Sequence, residues 1–213
     1  MSKDWSKLDA YRKANREARQ NTNFNFGSND YRGNIRVVYN RATDADMVAG
    51  RAWYTLAYRT AQNIVGKDGD HKVGAGIIAA FSPQMAWKKN IELAAKCLRT
   101  NRFTGHYGAN NRKARKIANG IDPLKVLGGD KTLAFYECIA TAGQTDAVCI
   151  DRHAASVCLG RNVTDQERHN IRRKHYAAYA NAYKDVAREV GLLASEVQAI
   201  TWVTWRREKG IID

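Results

Sequence analysis

The stretch G74-A-G-I-I-A-A-F81 is apolar nearly all the way round and ends at S82-P83. A helix with no polar face cannot lie at a surface, so other elements must wrap it. The rest of the chain supplies suitable wrappers. Pro83 and Pro123 are the only prolines in 213 residues, and most stretches between breakers carry helical rather than alternating periodicity. The expected fold class is all-α.

Thr43-Asp-Ala-Asp46 reads as a capped helix start, after which Met47, Tyr54, Tyr58, Ala61 and Val65 share one helical face. Beyond the apolar segment, Gln84 to Thr100 predicts an amphipathic helix. It would turn Ile91, Ala94, Ala95 and Leu98 inward and Lys88, Lys89, Lys96 and Arg99 outward, with Pro83 in its first turn. A loop over residues 101–110 leads to a short basic helix from Asn110. Residues 123–139 then read as two helices joined by a tight Gly128-Gly129 turn. Capping boxes at T164-D-Q-E167 and S195-E-V-Q198 open two more helices. At the other end, residues 4–20 read as a charge-alternating helix and residues 21–27 as an Asn-rich connector, so residues 1–34 form a basic arm.

Lysine and arginine number 35 against 21 acidic residues, a net charge of +14, which favours a polyanionic partner and nucleic acid first. No apolar run approaches a membrane span and the N-terminus lacks a secretory core, so an intracellular, cytoplasmic chain is expected. The four cysteines form no C-x-x-C pair and no close cluster, and the histidines are scattered. They predict reduced core thiols, with neither a metal nor another cofactor. No obligate protein partner is evident.

Four segments, in order, resemble the helix-hairpin-helix DNA glycosylases, the superfamily of endonuclease III and the 8-oxoguanine glycosylases. A79-A-F-S-P-Q84 looks like the family's apolar helix ending in a Ser-x-Gln turn. N111-R-K-A-R-K-I117 is similar to its N-x-K-A-x-x-I segment, and L127-G-G-D-K-T132 to its hairpin. V148-C-I-D-R-H153 resembles the V-D-x-H segment that carries the family's aspartate. The likeness spans residues 74–160, with weaker agreement over 164–208, and the interval from Lys131 to Asp151 is close to the family's. The hairpin is about two residues shorter than the usual one, and the iron–sulfur cysteines are absent.

The resemblance implies two helical lobes with a DNA-binding cleft between them. One is a central helical barrel over residues 70–145, and the other is built from residues 1–69 and 146–213. Asp151 would stabilise positive charge on the deoxyribose and align the nucleophile, though an Asp there is also a ready helix N-cap. Lys131, as a neutral amine, would attack the sugar carbon and give lyase activity; its plain alternative is a surface or phosphate-holding lysine. Gln84 would fill the gap left by an extruded base, or cap a helix, and Trp87 and Tyr136 would stack in the pocket, or sit in the core. Gly128, Gly129, Lys88, Lys89, Arg112, Lys113, Arg115, Lys116 and Arg152 would grip phosphates. The implied function is excision of a damaged or modified base. Two alternatives stay open: base hypermodification of the kind carried out by glycosylase-like phage proteins, and non-catalytic DNA binding.

Overall fold

The computed structural model describes residues 29–164, 167, 171 and 173–211, and those residues form ten helices and no strand. The helix expected over residues 4–20 and the connector at 21–27 lie outside the described residues. The helices are α1 (Tyr31–Asn40), α2 (Asp44–Val65), α3 (His71–Phe81), α4 (Trp87–Thr100) and α5 (Gly108–Ala118). After them come α6 (Pro123–Val126), α7 (Asp130–Ala140), α8 (Arg152–Leu159), α9 (Arg173–Val190) and α10 (Ala194–Glu208).

The apolar segment is α3, buried from Gly74 through Phe81 and packed against α2, α4, α5, α6 and α7. Close crossing with α2 depends on Gly74, where a Cβ would lie 2.2 Å from the Ala61 carbonyl oxygen. The α2 start uses the expected box. Asp46 N–H donates to Thr43 Oγ1 at 3.1 Å, and Thr43 N–H donates to Asp46 Oδ2 at 2.8 Å. Of the face predicted for α2, Met47, Tyr54 and Ala61 are buried, and Tyr58 and Val65 are half-buried.

Two buried apolar clusters divide the interior. One joins α1, α8, α9 and α10 around Ile35, Tyr183 and Trp205. The other joins α2 to α5 and α7 around α3, with Phe81, Ile117 and Ile139 at its heart. Each of these side chains is nearly inaccessible, and burying one contributes roughly 1.5–3 kcal/mol.

Three local expectations are corrected. Residues 31–34, expected in an arm, belong to α1, which Asp30 caps through Gly33 N–H and which buries Asn34, Ile35, Val37 and Val38. Helix α4 starts at Trp87 and not at Gln84, because Gln84 has φ +56°, a left-handed conformation that a helix cannot contain. Pro83 therefore sits in the preceding turn. Helix α10 starts at Ala194, with the Glu196 carboxylate accepting from Leu193 N–H at 3.0 Å. Ser195, predicted as the cap, instead donates from Oγ to the Gly143 carbonyl at 2.7 Å. The reciprocal bonds between Thr164 and Glu167 are present as expected.

Candidate functional site: an aromatic cavity between α7 and α8

The irregular run before α8 is held through its backbone by one side chain. The Tyr176 hydroxyl donates to the Val148 carbonyl at 2.7 Å and accepts from Ile150 N–H at 3.1 Å. Burial raises the Tyr176 pKa, which keeps that hydroxyl a donor. Val148, Cys149 and Ile150 are thereby pinned in the interior, and the next residue, Asp151, opens α8. Its Oδ1 accepts from His153 N–H at 2.9 Å and Ala154 N–H at 2.8 Å. The expected cap is thus real, and it leaves Oδ2 for another partner, the indole N–H of Trp202 at 2.9 Å.

Lys131 is the second residue of α7, reached through Gly129, whose φ of +87° suits glycine at the turn. Its carbonyl oxygen lies 3.9 Å from the Cys149 sulfur, so the start of α7 packs against the segment carrying Asp151. Burial pushes the Cys149 thiol up to about 12, with the Lys131 charge pulling the other way. Cys149 is therefore an inert wall and no nucleophile at neutral pH.

Lys131 and Asp151 both line a cavity of about 850 Å³. Its walls are rich in aromatic rings. Trp53 lies 5.6 Å from Trp87 and 4.9 Å from Trp202, and Phe135 meets Trp87 edge-on at 6.4 Å. Polar groups interrupt this lining at chosen points. The buried Tyr54 hydroxyl donates to Gln198 Oε1 at 2.9 Å. Asn90 donates to the Ile78 carbonyl at 2.9 Å, while its buried Oδ1 has no hydrogen-bond partner among the described residues.

At the rim, Gln84 is exposed and its Oε1 accepts from Tyr107 O–H at 2.8 Å. The turn that carries it is braced by His106. That ring accepts Tyr107 N–H on Nδ1 at 2.7 Å, which puts its proton on Nε2, 3.0 Å from the carbonyls of both Phe81 and Pro83.

Of the residues singled out from sequence, Lys131, Asp151, Arg152, Gln84, Trp87 and Gly129 come together on this cavity. Gly128, Lys88, Lys89, Arg112, Lys113, Arg115 and Lys116 are not on its wall. Tyr136 is not there either: it is buried in the cluster around α3, and its neighbour Phe135 turns to the cavity. Successive residues of a helix point about 100° apart, so one position decides wall or core. Trp53, Tyr54, Gln198 and Trp202 were missed, because they reach the cavity from α2 and α10, far from the motifs in sequence.

The geometry describes an all-helical protein with a capped carboxylate and a lysine on one aromatic-walled cavity. The chain belongs to DUF7178, a family of unknown function whose profile matches residues 16–209. No curated protein and no solved structure matches it. Among the described residues no group of His, Cys, Asp and Glu could hold a metal ion, and no helix is long and apolar enough to cross a membrane.

Proposed function

We infer that this chain is a DNA N-glycosylase, with lyase activity through Lys131, and that the cavity takes one extruded nucleotide. The DNA-binding cleft between two helical lobes would be this cavity, with α2, expected in the lobe of the chain ends, sharing its buried Tyr54, Ala57 and Ala61 with the cluster around α3. The observation that carries this reading is the meeting of Asp151 and Lys131 on one aromatic-walled space, each at the N-terminal end of a different helix. Breaking a glycosidic bond sends the electron pair to the base and leaves positive charge on the sugar. A carboxylate held by three N–H donors is fixed where it can oppose that charge without reorganising. The Lys131 amine, after giving up a proton, forms the new bond to C1′ as the base departs with the bonding electron pair, and opening of the sugar ring then gives a Schiff base. Flat aromatic walls suit a base that has lost its stacking neighbours, and Gln84 at the rim suits the vacated place in the duplex. The excess of 35 basic over 21 acidic residues supports the phosphate grip, with Lys88, Lys89 and the α5 cations outside the cavity contacting backbone rather than base.

The test is nucleoside mass spectrometry after incubation with duplexes carrying a panel of damaged and modified bases. A freed base with an abasic site supports the proposal. An altered but retained nucleoside supports base hypermodification instead, and an unchanged panel supports simple binding. Borohydride should trap a covalent protein–DNA adduct with the unaltered chain, and Lys131→Gln should abolish it while DNA affinity stays within about twofold. Adduct formation undiminished in Lys131→Gln would remove the lyase assignment.

A further inference from the structure

Trp202 and Trp205 stand one turn apart on α10 with different surroundings. Trp205 is buried in the first cluster, while Trp202 emerges on the cavity wall. The Trp202 ring is closely attended. The Arg206 guanidinium lies 4.2 Å over it, Trp53 leans on it at 4.9 Å and 45°, and His153 meets it edge-on at 6.3 Å. With a guanidinium already on its face, this indole is a poor platform for a base. What its neighbours fix is the direction of its one hydrogen-bonding group, the N–H aimed at Asp151 Oδ2 at 2.9 Å.

That bond completes the restraint of the carboxylate. Oδ1 is taken by two backbone N–H groups from α8, and an ionised carboxylate offers roughly four acceptor positions in all. The cap alone leaves the second oxygen unrestrained by any donor. Trp202 occupies one position on Oδ2, fixes the rotation of the carboxylate, and leaves one position open.

We propose that Trp202 is a positioning residue, whose indole N–H sets Asp151 so that the open side of Oδ2 meets the nucleotide sugar. This rests on the assignment of Asp151 as the catalytic carboxylate. It assigns Trp202 to the rate of the chemical step and not to binding of the base.

Trp202→Phe keeps an aromatic ring and removes the donor. On the substrate identified by the base-release panel, kcat should fall about tenfold or more, as small misplacements of a reacting group do, while KM and DNA affinity stay within about twofold. A rise in KM at unchanged kcat would make Trp202 part of the binding wall and overturn the proposal. A second measurement needs no turnover. In a ¹H–¹⁵N spectrum, the Trp202 indole signal, identified by its loss in Trp202→Phe, should shift and exchange faster in Asp151→Asn. An unmoved signal overturns the hydrogen bond on which the proposal stands. If that signal responds but the unaltered chain releases no base from any duplex, the glycosylase reading fails by a separate route. The bond is then a brace for the α8 cap, and the positioning role falls with it.

Discussion

Asp151→Asn should reduce base release by roughly 10²–10³-fold while the protein still folds. Asparagine is as good an N-cap as aspartate, so the bonds from His153 and Ala154 to Oδ1 survive the change. What changes is the second position, where an amide N–H₂ can face the Trp202 indole N–H, donor against donor. Losing that bond should cost about 1–2 kcal/mol, visible as a small fall in the urea midpoint. The charge opposing the sugar cation is lost entirely. Asp151→Ala is the less informative variant, because it removes cap and carboxylate together. If Asp151→Asn retains full base release, the residue is a cap and nothing more.

Gly50→Ala and Gly74→Ala should each destabilise the fold by about 3 kcal/mol, at the upper end for overpacking, because the added methyl meets backbone rather than a flexible side chain. At Gly50 a Cβ would lie 2.5 Å from the Ile200 Cα and 2.6 Å from its nitrogen, where α2 crosses α10. At Gly74 it would lie 2.2 Å from the Ala61 carbonyl oxygen, where α3 crosses α2. Relief would require two helices to move apart, and the Gly50 crossing lies in the stretch of α2 that leads to Trp53 and Tyr54 on the cavity wall. Gly128→Ala is the control, since nothing lies within 4 Å of a Cβ there, and its effect should stay within about 0.5 kcal/mol. Urea unfolding of the three variants checks the contrast. Equal stability of all three would show that these crossings are looser than described.

Features set by a few neighbouring residues could be read directly from the sequence. The all-apolar segment became α3, the Thr43–Asp46 box opened α2, and Asp151 capped α8, because each depends on local backbone donors and side-chain periodicity. Helix α1 escaped because Gly33 and Asn34 in its first turn interrupt the short apolar pattern of Ile35, Val37 and Val38, which bury against α8, α9 and α10. The start of α4 was misread for a related reason. Gln84 in an amphipathic pattern looks helical until the His106 brace forces the turn. At the site, the resemblance implied Lys131 and Asp151 facing each other across a cleft; both line the cavity, since both sit at helix starts tied together through Cys149. It did not anticipate Trp202, whose role depends on where α10 returns to the chain's earlier half. Nor did it separate Tyr136 from Phe135, because adjacent helical positions differ in facing and only the packing of α7 decides which is core.

The most direct test of the central claim uses a duplex whose lesion is a tetrahydrofuran abasic analogue, so no knowledge of the target base is required. A crystal structure of the Asp151→Asn protein on that duplex should place the analogue sugar in the cavity, between the residue 151 side chain and the Lys131 amine. Gln84 should then occupy the vacated stack. A complex in which the duplex lies on another face, with the cavity holding no nucleotide, would contradict the account.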